Sequence, residues 1–328
     1  MAISDVKVIV SLLKPVGNAG FGYPLLLTKG EAEVPYTICA GLDEVITAGF
    51  DNGTDMYKAA NLVFMQNDAP SKIAVCSTTK DYATFLPEII EKGWRQLIIV
   101  DSAFTDYDTT VSAYIETTNK ICFVGATTAP TTAKSYKPYD RTVCVVHTDR
   151  LAVAAVVGAT AGLETGSFTY HNTVVKGVTA MNYTAAEIAE MHKNGAISIV
   201  EKAGDIVTSE GIAGSGEYID IIDINDWVIT QLEYQTQKLL NKMKKIPYDN
   251  SGIAMLEGVA VNVMRSAFGK GMIALDDEGN PAYTVNYALK ADCAAGDIAA
   301  RKYLGGKLAF TASGAIHNAE INVEISVA

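Results

Sequence analysis

What this sequence lacks narrows its function first. Only 19% of its 328 residues are charged, and it carries two tryptophans and four histidines. Among its five cysteines no two form a C-x-x-C pair, which excludes the common zinc-ribbon and thioredoxin-like arrangements. Four of them sit in apolar stretches, as at 73–76 and 142–146, and read as small core residues in a reducing compartment. No apolar run reaches the ~20 residues a bilayer-spanning helix needs; the longest, Leu151 to Leu163, is mostly Ala and Gly. Asp5 and Lys7 interrupt the amino-terminal apolar region, so neither a secretory signal nor a membrane anchor is expected. Lys and Arg number 26 against 37 Asp and Glu, a net charge of −11. A chain that holds nucleic acid along its surface carries a basic face, so nucleic acid is excluded as the main partner.

The motifs of nucleotide and acyl chemistry are missing too. No Gly-x-Gly-x-x-Gly joins a strand to a helix, Gly269-Lys270-Gly271 has neither the spacing nor the hydroxyl of a phosphate loop, and there is no Gly-x-Ser-x-Gly elbow. His147, His171, His192 and His317 each lack a second His or Cys at metal-ligand spacing. Asp101, just past the expected strand at 97–100, stands where α/β enzymes place carboxylates, but a lone Asp there also caps a loop. Asp220, Asp223 and Asp226 have no histidine at close spacing. The expectation is no catalytic residue, no cofactor and no metal. A cytoplasmic α/β enzyme binding a small nucleotide-like ligand remains the alternative, on fold analogy alone.

What is present is an alternation. Short Val- and Ile-rich runs at 25–27, 73–76, 97–100, 121–124, 143–146 and 197–200 fit central strands buried on both faces. Between them lie helical stretches at 55–66, 81–92, 108–118 and 152–161, and a capping box, Thr184-Ala-Ala-Glu187, opens another that stops at Gly195. This pattern predicts a mainly parallel α/β domain over 24–205. Gly204 to Gly216 reads as hinge-like. A different texture follows: a strand at 218–222, a long amphipathic helix from 225 to about 246, and a second, nearly all-apolar helix at 252–268 expected to be buried. A hairpin is expected from 272–275 and 283–289, then a short helix at 294–303 and a strand at 307–311. This makes an α+β carboxy-terminal domain over 206–318. On the long helix Lys238, Lys242 and Lys245 share a stripe, either a solvated face or a contact surface.

Both chain ends read as strands. Val6, Val8 and Val10 alternate within an arm and linker at 1–23 that also holds Gly17, Gly20 and Gly22. Ile321, Val323, Ile325 and Val327 alternate strictly with polar residues in a terminal segment at 319–328, just after Gly314. A strand with one apolar face can complete its own sheet or add to a neighbour's edge. Four such side chains contribute roughly 1.5–3 kcal/mol each when buried. Ordering costs roughly 1–2 kcal/mol per residue, so one lent strand is near break-even. Several formed together are not.

Three stretches resemble the tail sheath proteins of contractile-tailed bacteriophages and related injection machines and bacteriocins. Gly211-Ile-Ala-Gly-Ser-Gly-Glu-Tyr218-Ile-Asp220, continuing to Asp226-Trp227, is similar to the family's glycine, Tyr-Ile-Asp and Asp-Trp run. Lys245-Ile246-Pro247-Tyr248 is similar to its link before an apolar helix. Asp292 to Arg301, followed by Gly314-Ala-Ile316-His317 and the terminal strand, completes the likeness, in family order from residue 211 to 323. The resemblance implies a non-enzymatic subunit of a contractile sheath in a virion tail, assembled in the host bacterial cytoplasm. It implies a helical homopolymer around a tail tube protein, joined to baseplate and tail terminator proteins, with no membrane contact by this chain. It further implies that the terminal strands, Val6, Val8, Val10 and Ile321, Val323, Ile325, Val327, are lent to neighbouring subunits across glycine linkers. The lysine stripe 238, 242 and 245 is then a contact with the tube. The chain is short for such a protein, so extra outer domains are not expected.

Overall fold

The computed structural model describes residues 22–317. The strand-forming runs become β1 (Tyr23–Lys29), β2 (Val34–Cys39), β3 (Ile73–Thr78), β4 (Trp94–Ile99), β5 (Ile121–Ala126), β6 (Thr142–Val146), β7 (Ile197–Lys202) and β8 (Asp205–Thr208). They form one eight-stranded sheet in the order β2-β3-β1-β4-β5-β6-β7-β8. The strands from β3 to β7 run parallel, and the two edges, β2 and β8, are antiparallel. The period of two along each strand divides the core. Leu26, Val75, Ile98, Phe123 and Val145 face one side, while Leu25, Leu27, Cys76, Leu97, Val124 and Cys144 face the other.

Helices cover both faces. On the first side lie α1 (Leu42–Thr47), α2 (Asp55–Phe64) and α5 (Ala152–Thr160); on the other lie α3 (Tyr82–Ile89), α4 (Thr110–Ile115) and α6 (Ala185–Lys193). The Ala- and Gly-rich stretch has a packing reason. A Cβ on Gly158 would come within 2.6 Å of the Val63 backbone, so α5 is built of small residues because α2 lies directly against it. The capping box forms as expected: Glu187 N donates to Thr184 Oγ1 at 3.3 Å, and Thr184 N donates to the Glu187 carboxylate at 2.8 Å.

The structure departs from expectation in several places. The stretch read as a hinge from Gly204 opens instead with β8. Ala203 and Gly204 take φ of 54° and 92°, the left-handed pair of a tight hairpin turn, and β8 pairs back onto β7. The edge strand β2 carries Pro35 and a register shift between Val34 and Thr37, which blurs its alternation. No strand forms at 218–222, because α7 (Ile219–Lys242) begins there. Its buried face includes Asp220, Asp223 and Asp226, residue types normally read as solvent-facing, so the helical stripe is invisible to hydropathy.

Beyond α7, α8 (Asn250–Gly269) packs its Ala260, Val263, Met264 and Ala267 against Ile224, Val228 and Leu232. It is not buried throughout: Met255 and Phe268 are exposed. The strand β9 (Tyr283–Tyr287) pairs antiparallel with β10 (Gly306–Phe310) across the short α9 (Ala295–Ala299), not with 272–275 as expected. Residues 272–275 join as the isolated bridges Ile273 to Ala312 and Leu275 to Pro281, where Ala282 N donates to the Ala274 carbonyl and Ala274 N to that of Thr311. Val6, Val8, Val10, Gly17, Gly20, Ile321, Val323, Ile325 and Val327 lie outside the described residues. Among the described residues no helix is long and apolar enough to cross a membrane.

Candidate functional site

Two features distinguish the carboxy-terminal module: how it is bolted to the α/β body, and what it leaves open. The bolt is ionic and buried. Arg95 on β4 is 3% exposed, and its Nη2 lies 2.6 Å from Asp223 Oδ1 and 2.7 Å from Asp226 Oδ2, both on α7. Arg141, just before β6, grips Asp226 with both guanidinium nitrogens, at 2.7 and 2.9 Å. Tyr170 donates its hydroxyl to Asp223 Oδ2 at 3.2 Å, and Arg95 also donates to the Asn119 carbonyl. Burial pushes both carboxyls up, but Asp226 faces two guanidinium groups, which outweigh it and hold that carboxyl below its ordinary value. Asp223 touches one arginine and feels Asp226 beside it, so burial leaves it above its ordinary value. Paired charges of this kind fix geometry more than they add stability, and removing one partner is costly. The arrangement makes α7 move with the sheet.

The open part is the two-stranded sheet. A lone pair of strands is marginal in water, and three or more strands or a covering helix are needed. Among the described residues β9 and β10 have no third strand; the α7–α8 core covers one face through Tyr283, Val285, Tyr287, Leu308 and Phe310, and none of the strand residues is fully buried. Large exposed apolar side chains collect in the same module: Leu275 at 59%, Leu289 at 52%, Leu304 at 67% and Ile316 at 89%.

The lysines are only partly brought together. Lys238 and Lys242 are exposed on the last turns of α7, with the Lys238 ammonium 5.6 Å from the Tyr234 ring centre. Lys245 lies beyond the helix, which ends at Lys242, so the expected three-residue helical stripe is a two-residue one followed by a loop lysine. Gly22 adopts φ 91°, and a Cβ there would meet the Gly93 carbonyl at 2.8 Å, while Tyr23 N donates to that carbonyl. It is the pinned end of the amino-terminal linker. Gly314 is exposed with open space around it.

Groups weighed for chemistry are engaged structurally. Asp101 accepts from the Tyr82 hydroxyl at 2.8 Å and from Ala103 N at 2.9 Å. At the same end of the sheet, where open α/β folds take ligands, Lys29 pairs with Asp81 at 2.6 Å. His147 is buried between Asp149 and the Thr179 carbonyl. Burial pushes the Cys76 and Cys144 thiols up to about 12, so they stay protonated and unreactive. Spacing along the chain did miss one group: His171 and His317 stack with ring centres 4.4 Å apart, and both face Glu210. Their separations of tens of residues carry no local signal.

No protein-family model and no curated protein matches the sequence. Solved structures do match. The chain is similar to a chain of the contracted helical sheath of the anti-feeding prophage, with a TM-score of 0.73 at 14% identity over 99% of both chains. It is similar to the contracted sheath complex of an extracellular contractile injection system, PVC, with a TM-score of 0.70 at 13% identity over 100% of this chain and 99% of the other. A sheath tail protein from Listeria innocua aligns over 82% of this chain and 89% of its own, with a TM-score of 0.61 at 11% identity. At these identities the common property is the fold, which runs through both the α/β body and the carboxy-terminal module.

Proposed function

We propose that this chain is the subunit of a contractile sheath, polymerising helically around a tail tube and shortening to drive the tube through a target envelope. The observation that carries the reading is the end-to-end correspondence with a helical sheath chain, 99% of both. In this role the subunit is a mechanical part and not an enzyme. It binds copies of itself and a baseplate, and, more specifically, a tube protein and a terminator.

The open sheet supplies the mechanism. Backbone groups on the outer edges of β9 and β10 can pair with strands lent by neighbouring subunits, at about 0.5–1.5 kcal/mol net for each hydrogen bond. The lent strands are the alternating segments around Val6, Val8 and Val10 and around Ile321, Val323, Ile325 and Val327. Their apolar faces cover the half-exposed β9 and β10 side chains. Contraction then rotates whole subunits, which the buried Arg95, Arg141, Asp223 and Asp226 group keeps rigid, while the strands hold neighbours together. Lys238 and Lys242 face an acidic tube.

Electron microscopy of the purified full chain tests this directly: hollow cylinders are expected. Deleting residues 319–328 is expected to leave a folded monomer that forms none. Cylinders of normal length from the truncated chain would remove the strand-lending mechanism.

A further inference from the structure

We propose that His171, Glu210 and His317 form a binding site for a divalent transition metal of the zinc class, which fastens the chain at residue 317 to the α/β body. The three residues come from remote segments: the excursion after α5, the link between β8 and α7, and the last described residue of the chain. One ligand atom from each lies within 4.8 Å of the other two.

The geometry asks for a cation. His171 Nδ1 lies 3.0 Å and His317 Nδ1 2.7 Å from the same oxygen, Glu210 Oε1. Both side chains are more than nine-tenths buried, at 7% and 8% exposure. Yet neither buried Nδ1 has a well-aligned hydrogen bond, short as the distances are. Two buried ring nitrogens therefore converge on a partly buried carboxylate oxygen without a proton shared in line. A metal ion accepts all three at once. Zinc binds imidazole nitrogen at about 2.0–2.1 Å and carboxylate oxygen at about 2.0–2.2 Å, which sets ligand atoms roughly 3.3 Å apart in a tetrahedron. To reach that spacing the nitrogen-to-oxygen distance opens by about 0.3 Å at His171 and about 0.6 Å at His317, with all three ligand atoms already within 4.8 Å of one another.

The surroundings are those of a ligand set. Metal-bound histidines anchor their second nitrogen, and ligating carboxylates are themselves hydrogen-bonded. His317 Nε2 lies 3.0 Å from Thr169 Oγ1, and Gly211 N donates to Glu210 Oε1 at 3.0 Å. The Tyr218 ring closes over His317, edge-on at 4.9 Å. The nearest competing cation, Lys202, directs its ammonium elsewhere, to Asn172 Oδ1 at 2.7 Å. Two imidazoles and one carboxylate are donors that suit zinc, with a water completing the shell. The site is independent of the sheath reading, since a single subunit binds the ion whether or not cylinders form.

The test uses the tag-free full chain, stripped with a chelator and titrated with Co²⁺ and then Zn²⁺. One equivalent of Co²⁺ is expected to bind with visible ligand-field absorption, which Zn²⁺ abolishes. His171→Ala and His317→Ala are each expected to weaken binding by more than the roughly 10–100-fold that losing an outer partner costs. The near-isosteric Glu210→Gln is expected to weaken it at least tenfold. If an alanine variant does not fold, imidazole ¹⁵N spectra of the natural chain decide. Zn²⁺ should shift two histidines and leave His147 and His192 in place. No saturable uptake by the natural chain, affinity unchanged in His317→Ala, or shifts spread over all four histidines overturns the proposal.

Discussion

The molecule contains two sheets that differ in what they leave unfinished. In the eight-stranded sheet every strand between the edges β2 and β8 has a neighbour on each side, and helices cover both faces. In the two-stranded sheet β9 and β10 have no further strand among the described residues; one face rests on the α7–α8 core through Tyr283, Val285, Tyr287, Leu308 and Phe310, and their side chains stay half-buried or exposed. The first sheet keeps its stabilisation within one subunit. The second leaves strand edges free to gain it from outside in the proposed sheath, and a junction of buried charge ties α7 to the first sheet. The contrast predicts that equal insults to the two regions have unequal consequences.

The largest effect is expected at the junction. Asp226→Ala removes the carboxylate that Arg95 and Arg141 share, and leaving buried cations uncompensated costs about 3–5 kcal/mol. Urea denaturation of the monomer measures it. A loss below about 1 kcal/mol means the module is not held by these charges.

Next comes a paired truncation that sets the two sheets against each other. Leu26→Ala, at a fully buried side chain of β1, is expected to cost about 2–5 kcal/mol in the monomer. Leu304→Ala, at a side chain 67% exposed, is expected to change monomer stability by no more than about 0.5 kcal/mol while lowering the yield of cylinders. Equal losses of monomer stability erase the distinction between a closed and an open region.

The same contrast governs how much the sequence revealed. The parallel strands were legible because their residues are apolar on both faces, as at Val75 and Ile98 on one side and Cys76 and Leu97 on the other, and no partner outside the domain is needed to explain them. Their helices were legible from the Thr184 and Glu187 capping box and from the spacing of Met56, Ala59, Ala60 and Val63. The start of α7 was not, since its buried aspartates make sense only once Arg95 and Arg141 are known to meet them in space. Nor was the convergence of His171, Glu210 and His317, which the chain path creates and no local spacing encodes. Lys245 was misplaced for a simpler reason. Pro247 marks the expected end of the helix at about 246, but the backbone already turns extended at Met243, a residue whose composition does not distinguish it from a helical one.

A smaller effect separates the two aspartates of the junction by pH. The ordinary carboxyl value is 3.8, and Asp226 lies below it in the folded chain because two arginines outweigh burial. Its ionised form therefore contributes stability that is fully present above 3.8 and is lost as the pH falls through the lower folded value. Asp223 has the opposite sign, since burial holds it above 3.8 and its protonation in acid relieves a cost. Urea midpoints followed from neutral pH into the acid range should show Asp226→Asn losing its disadvantage against the natural chain as the pH falls. A disadvantage that is constant with pH contradicts the assignment of the two carboxyls.

The smallest change to the monomer, and the sharpest probe of the open region, is charge reversal at Lys238 and Lys242. Both are exposed, and the packing at risk is Lys238 over Tyr234, worth about 0.5–1 kcal/mol at an exposed site. Monomer stability should therefore barely move in Lys238→Glu with Lys242→Glu, and cylinders should still form from the purified chain. Attachment to the tube should weaken, and in the natural chain it should weaken with added salt, because exposed ion pairs are screened over about 8 Å at physiological ionic strength. Co-sedimentation with tube polymers at low and high salt separates the outcomes. Loss of self-assembly and tube binding together places these lysines between subunits, and loss of neither makes them a solvated face. Lys245→Glu provides the internal control: beyond the end of α7 it should act alone, and more weakly than the helical pair.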